Sequence, residues 1–156
     1  MKSIEDWLTE YGESHQNSAN KRIHWLCVPL ILFSILGFFI YIPFPIDKTW
    51  WLNWGGLSIL LAFIFYWRLS KSLAGGFVVV ALGMLILNWW IYTMLNSSKI
   101  NALTISLFIF VIAWLGQFYG HKLEGKKPSF FKDIQFLLIG PIWLLVFIYR
   151  KFNIEY

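Results

Sequence analysis

From Trp25 to Ile42 the sequence reads WLCVPLILFSILGFFIYI, without one charged side chain. No other feature restricts the fold as much, because a helix that spans a membrane needs about 20 mostly apolar residues. Segments of the same kind recur at 51–69, 73–95 and 102–120, and the first is read as a helix over 18–42. A fifth apolar segment, 134–149, is shorter and is broken by Gly140-Pro141. It reads as a tilted fifth span or as a helix that enters and returns. Backbone groups in lipid must pair within their own segment, so spanning segments are helical. The expected fold is all-α: a single multi-pass transmembrane helix bundle over 1–156, with four spans, a fifth apolar helix that crosses or re-enters, and a short amphipathic interfacial helix over 1–17. Composition agrees, since 58% of the residues are hydrophobic and 13% are charged. A soluble domain of this size has too much outside to hide that much apolar surface.

The connections are short and carry turn residues, Pro43, Pro45 and Asp47 in the first and NSSKIN in the third. Basic residues set the orientation. With the N-terminus inside, Lys2, Lys21, Arg22, Arg68, Lys71, Lys122, Lys126, Lys127 and Lys132 fall on the inner side, against Lys48 and Lys99 outside. Arg150 and Lys151 join the inner set if segment 134–149 returns, and the bias favours that. The net charge of +5 is thereby explained by topology and anionic headgroups, with no nucleic acid as partner. Trp50, Trp51 and Trp54, with Trp89, Trp90 and Tyr92, mark the outer interface as ordinary aromatic anchors. The start MKSIEDWLTE is too acidic and polar for a secretory signal, and the end FNIEY resembles no retrieval signal. The expected location is a bacterial inner membrane, with the N-terminus on the cytoplasmic side.

The chain has three histidines. His15 and His24 precede the first apolar run, and His121 follows the fourth span. Four crossings return the chain to its starting side, so all three meet at one membrane surface whichever way the protein faces. His15 and His24 are two and a half helical turns apart and point opposite ways on one straight helix. Convergence needs a break between them. Ser3 with Asp6 resembles a capping box that opens a helix to about Ser14, and Asn17 or Ser18 reads as the cap of the next one. The turn therefore falls within Gln16–Ala19. Each histidine has a polar residue four positions earlier on the same helical face: Tyr11, Asn20 and Gln117. Glu124 follows one turn beyond His121. Such companions serve as hydrogen-bond partners of metal-bound imidazoles, as substrate contacts, or simply as interfacial groups that bond water and headgroups.

These residues also resemble a known family. The pattern Tyr-x3-His-x4-Asn-x3-His-x4-Pro, carried by Tyr11, His15, Asn20, His24 and Pro29, looks like the N-terminal motif of the Mpo1-like (DUF962) proteins. A second block, Trp114, Gln117, Phe118, Gly120, His121, Glu124 and Pro128, and the late Gly140-Pro141 pair fit the same family, over nearly the whole chain. The yeast-type pattern has His-x3-Glu where this chain has His121-x2-Glu124, and a glutamate where Phe147 stands. The resemblance implies an Fe(II)-dependent membrane dioxygenase that takes a 2-hydroxy fatty acid and O2 to the acid one carbon shorter, CO2 and water. His15, His24 and His121 are then the metal ligands and catalytic residues. Glu124 is a further ligand or an orienting group, and Tyr11, Asn20 and Gln117 support the ligands or meet substrate.

The residues exclude several other chemistries. Cys27 is the only cysteine, which rules out an internal disulfide and a CxxC metal site. A di-iron hydroxylase needs many more histidines, HExxH is absent, and no span contains a histidine to serve as a haem ligand. Neutral imidazoles with open positions beside them suit Fe(II). The alternative is a non-enzymatic membrane module, binding lipid or an assembly partner through an interfacial histidine cluster.

Overall fold

Six helices and no strand are found among the described residues of the computed structural model, which are 2–95, 101–125 and 130–156, with backbone alone at 130–135. They are α1 (Ile4–Glu13), α2 (Ser18–Tyr41), α3 (Trp54–Trp67), α4 (Lys71–Leu95), α5 (Ala102–Glu124) and α6 (Phe130–Lys151). Most of the third connection, including Lys99, and the residues Lys126, Lys127 and Pro128 lie outside the described residues, as does the Lys132 side chain.

The capping box forms as the sequence predicts. Ser3 Oγ accepts from Asp6 N at 3.1 Å, and Asp6 Oδ2 accepts from Ser3 N at 2.9 Å. Ile4, Leu8 and Tyr11 then fall on one stripe of α1, which is the buried one. Asn17 caps α2, with its side-chain oxygen on Ala19 N at 2.8 Å. The chain therefore turns between Ser14 and Asn17, and α2 continues without interruption into its apolar run.

α2, α4 and α5 are long and apolar enough to cross a membrane. α3 is not: the span expected over 51–69 has only 14 helical residues. At 1.5 Å per residue it reaches about 20 Å, short of the roughly 30 Å hydrocarbon core. The reason is the cap. Asn53 Oδ1 takes Gly55 N and Gly56 N, while its amide binds Thr49 O and Trp50 O, so residues 49–53 close a turn before the helix starts. The Gly140-Pro141 break also differs from expectation, since α6 is one helix running through Pro141. A proline disturbs the carbonyl one turn behind it. That carbonyl is Leu137 O, and its neighbour Leu138 O accepts the hydroxyl hydrogen of Tyr66 from α3.

Lipid tails are as apolar as leucine, so packing rather than water exclusion holds such helices together, and small residues mark the seams. α5 packs against α2 along its length. A Cβ on Gly116 would collide with Cys27 Sγ, and one on Gly120 with Asn20 Oδ1. Gly75 and Gly83 face open space and serve no such contact.

Candidate metal centre

Three elements deliver the histidines. His15 stands in the turn after α1, His24 is two turns into α2, and His121 lies in the last turn of α5. The close α2–α5 approach at Gly120 brings the last two together, and the Ser14–Asn17 turn folds the first back over them. One ring nitrogen from each lies within 4.8 Å of the others. Ring centroids are 4.3 Å apart for His15–His24, 5.1 Å for His24–His121 and 5.4 Å for His15–His121, and no two of these rings stack face to face. The three histidines meet as expected, although only three of the four expected spans are long enough to cross. All three side chains are buried, at 2%, 1% and 9% exposure.

The hydrogen bonds assign the ring nitrogens. His15 Nδ1 is 2.6 Å from Tyr11 O, and His24 Nδ1 is 3.0 Å from Asn20 O. A carbonyl can only accept, so Nδ1 carries the hydrogen in both neutral rings and Nε2 keeps the lone pair. His15 Nε2 is buried and has no partner in the protein. Burial pushes the His15 ring down to about 4, with His121 and Lys21 adding to the effect against Tyr11 O and Glu124. The ring is neutral at pH 7, as a metal ligand requires.

The companions at i−4 act differently from expectation. Tyr11 and Asn20 orient their histidines through backbone carbonyls, and their side chains do other work. The Tyr11 ring stacks on the His15 ring at 4.1 Å and 13°. Asn20, fully buried, donates to Ser14 O and to Glu124 Oε2. Gln117 lies beside the His24 ring across the α2–α5 seam. Glu124 stands outside the nitrogen cluster, and its oxygens accept from Gln16 N at 2.7 Å, Asn17 N at 3.0 Å and Asn20 Nδ2 at 2.9 Å.

One contributor was not legible in the sequence. Trp143 from α6 packs 5.3 Å from both His15 and Tyr11 and walls the site on that side. An aromatic residue within an apolar helix gives no sign of which neighbour it will meet. Its only local hint is Gly140 one turn earlier, which leaves room for Tyr11 Oη.

A family model described as "2-hydroxy-palmitic acid dioxygenase Mpo1-like" matches residues 1–152. The chain belongs to the Mpo1-like family. Neither a curated protein nor a solved structure matches it. The match takes in all three histidines of the centre, together with Glu124 and Trp143.

Proposed function

We propose that this Mpo1-like protein is an Fe(II)-dependent membrane dioxygenase acting on 2-hydroxy fatty acids. The family supports the substrate class, and one observation supports the metal. His15 Nε2 is a buried lone pair without a protein partner, beside two further imidazoles. A buried acceptor left open is costly unless something outside the protein fills it. Three imidazole nitrogen donors fit Fe(II). Iron bound by His15, His24 and His121 would supply the redox chemistry with O2 and a point of chelation for the substrate's carboxylate and 2-hydroxyl. The reaction balances without an outside reductant: 2-hydroxy acid plus O2 gives the acid one carbon shorter, CO2 and water.

The chain's own residues orient and enclose. The carbonyls of Tyr11 and Asn20 hold two imidazoles in the donor tautomer, and Tyr11 and Trp143 exclude water from the α6 side. Gln117 places an amide beside His24, where it would be available to a substrate hydroxyl. A fatty acid has its headgroup at the interface and its tail in hydrocarbon. The site lies where α2 begins and α5 ends, which is headgroup level for that substrate, while Trp25, Leu26, Leu115 and Phe118 offer exposed apolar surface to a tail.

The same reading puts α6 along the histidine face without crossing. Leu138 is held by Tyr66 at the end of α3, and Tyr149 donates to Ser72 O at the start of α4, 2.9 Å away. Both anchors belong to one α3–α4 connection, so the helix between them lies across that end of the bundle. N- and C-termini then share a side, which the basic residues make the cytoplasmic one of a bacterial inner membrane. Reporter tags on the two ends that respond from opposite sides would refute this topology.

The deciding experiment is anaerobic purification in mild detergent, iron analysis, and turnover of 2-hydroxypalmitate with O2. One iron per chain and release of CO2 with the shortened acid are expected. Protein that takes up no Fe(II) and turns nothing over leaves the histidine cluster as a binding or assembly feature.

A further inference from the structure

Glu124 occupies an unfavourable place in its own helix. It is the last residue of α5, where the macrodipole disfavours negative charge. α2 has the complementary lack, with no acidic residue in its first turn. The fold resolves both at once. It sets the Glu124 carboxylate against the N-terminus of α2, where Gln16 N and Asn17 N precede the helix and Asn20 Nδ2 rises from its first turn. Asn17 Nδ2 answers by donating to Leu123 O at 3.3 Å. The end of α5 is therefore tied to the turn before α2 by three hydrogen bonds and to the first turn of α2 by a fourth, and the three on Glu124 are charge-assisted. That turn begins at Ser14 and contains His15, while His121 is one turn back from Glu124 on α5.

We infer that Glu124 is a positioning residue. Its carboxylate latches the α1–α2 turn to α5, fixing His15 against His121, and is not itself a ligand of the metal. The inference rests on the metal reading proposed above. It follows from geometry, because His15 is the one histidine outside a helix and has the least local restraint. Its own Nδ1 bond to Tyr11 O sets the ring angle but does not tie the turn to α5. Only the Glu124 and Asn17 contacts do that among the hydrogen bonds described. Groups that orient a metal ligand typically change metal affinity about 10–100-fold when removed.

Co(II) serves as the probe, since its visible absorption reports the ligand set. Unsubstituted protein, Glu124→Ala and Glu124→Gln are prepared metal-free in detergent and titrated with Co(II). Amide hydrogen exchange is followed in parallel over 14–20 and over the bundle helices. The expected result for Glu124→Ala is a 10–100-fold weaker affinity with the absorption bands unmoved, and faster exchange in 14–20 alone. Glu124→Gln keeps one acceptor oxygen and should fall between. Protection retained in the bundle helices identifies a folded variant, and if Glu124→Ala lacks it, the Gln variant decides by the same two readings. Moved bands make Glu124 a ligand and overturn the inference, as does unchanged affinity or unchanged exchange at the turn. If the unsubstituted protein takes up no Co(II), the metal reading itself fails and the positioning role falls with it.

Discussion

α2 buries two polar clusters, about 20 Å apart along its axis by helical rise, and they are built on opposite principles. The one towards its C-terminal end surrounds Gly37. Asn88 from α4 gives its amide hydrogens to Phe33 O and Met84 O, both at 3.0 Å, and Ser34 donates to Ile31 O at 2.8 Å. Gly37 exists to let Ser106 and Asn88 in, since a Cβ there would overlap both. In this cluster the amide donors and the Ser34 hydroxyl meet backbone carbonyls inside the bundle. The cluster at the start of α2 is equally buried but leaves His15 Nε2 and Asn20 Oδ1 unpartnered. A polar group that satisfies itself is glue between helices, whereas one that leaves lone pairs open is built to receive something. On the proposed function the histidine end is chemical and the Gly37 end structural, and substitutions can test that division.

The largest contrast lies in the histidines. His15→Ala, His24→Ala and His121→Ala should each abolish turnover of 2-hydroxypalmitate and bound iron, while the protein still inserts and elutes as the parent does. Turnover retained in any one of them removes that residue from the site. None of the residues around Gly37 should give this pattern.

Acid should next separate the two ends. Burial pushes the His15 pKa down from 6.5 to about 4, with His121 and Lys21 adding to the effect and Tyr11 O and Glu124 opposing it. Between those values the unfolded chain binds a proton that the folded chain refuses. The stabilisation is complete above pH 6.5 and is lost as pH falls to about 4. Its upper bound is on the order of 3 kcal/mol, at 1.36 kcal/mol per unit. The thermal midpoint of metal-free protein in detergent should fall through this window, and His15→Ala should flatten the profile. Equal slopes in parent and variant would mean that His15 does not titrate this way. The Gly37 cluster contains no titratable group, so changes there should leave the profile's shape intact.

The two seam glycines give a smaller, matched pair. Gly120→Ala pushes against Asn20 Oδ1, and through it against the end of α5 that bears His121. Metal affinity should drop about 10–100-fold, as for other groups that hold ligands in place. Gly37→Ala pushes against Ser106 and Asn88. It should lower the thermal midpoint and leave Co(II) affinity within a factor of two or so, the distant-site expectation. If the two variants exchange these effects, the division between chemical and structural ends is wrong.

These tests rely on features of unequal legibility. Helical class and the capping box at Ser3 could be read directly, because each rests on local pattern, and His15, His24 and His121 meet as expected although only three of the four spans counted are long enough to cross. Asn17 was read as a possible local cap, but the turn it closes runs over Ser14–Asn17 rather than Gln16–Ala19, and Ser18 and Ala19 are already helical. What failed was reach. Sequence spacing set Tyr11 and Asn20 beside their histidines but could not tell side chain from carbonyl, and the carbonyls proved to be the partners. Glu124 was visible as a carboxylate one turn past His121. Its attachment to Gln16 and Asn17 spans more than 100 residues and leaves no periodic trace. The shortness of α3 depends likewise on turn-specific bonds, those of Asn53.

The smallest expected effect is also the sharpest check on the structural end. Asn88→Ala removes two hydrogen bonds, one to Met84 in its own helix and one to Phe33 across the α2–α4 interface. Only the second ties helices together. Interhelical bonds of this sort in membrane proteins contribute roughly 0.6 kcal/mol on average and at most about 1.7. The freed Phe33 carbonyl retains its place in the α2 backbone, so no buried charge adds to the loss, and the space left by the amide is small. The variant should therefore unfold with a deficit of about 1 kcal/mol in detergent and keep parental turnover and Co(II) affinity. A deficit several times larger would mean that the Gly37 cluster locks the whole bundle. A loss of metal affinity would mean that strain at this end of α2 travels to His24, and that the two ends act as one device rather than two.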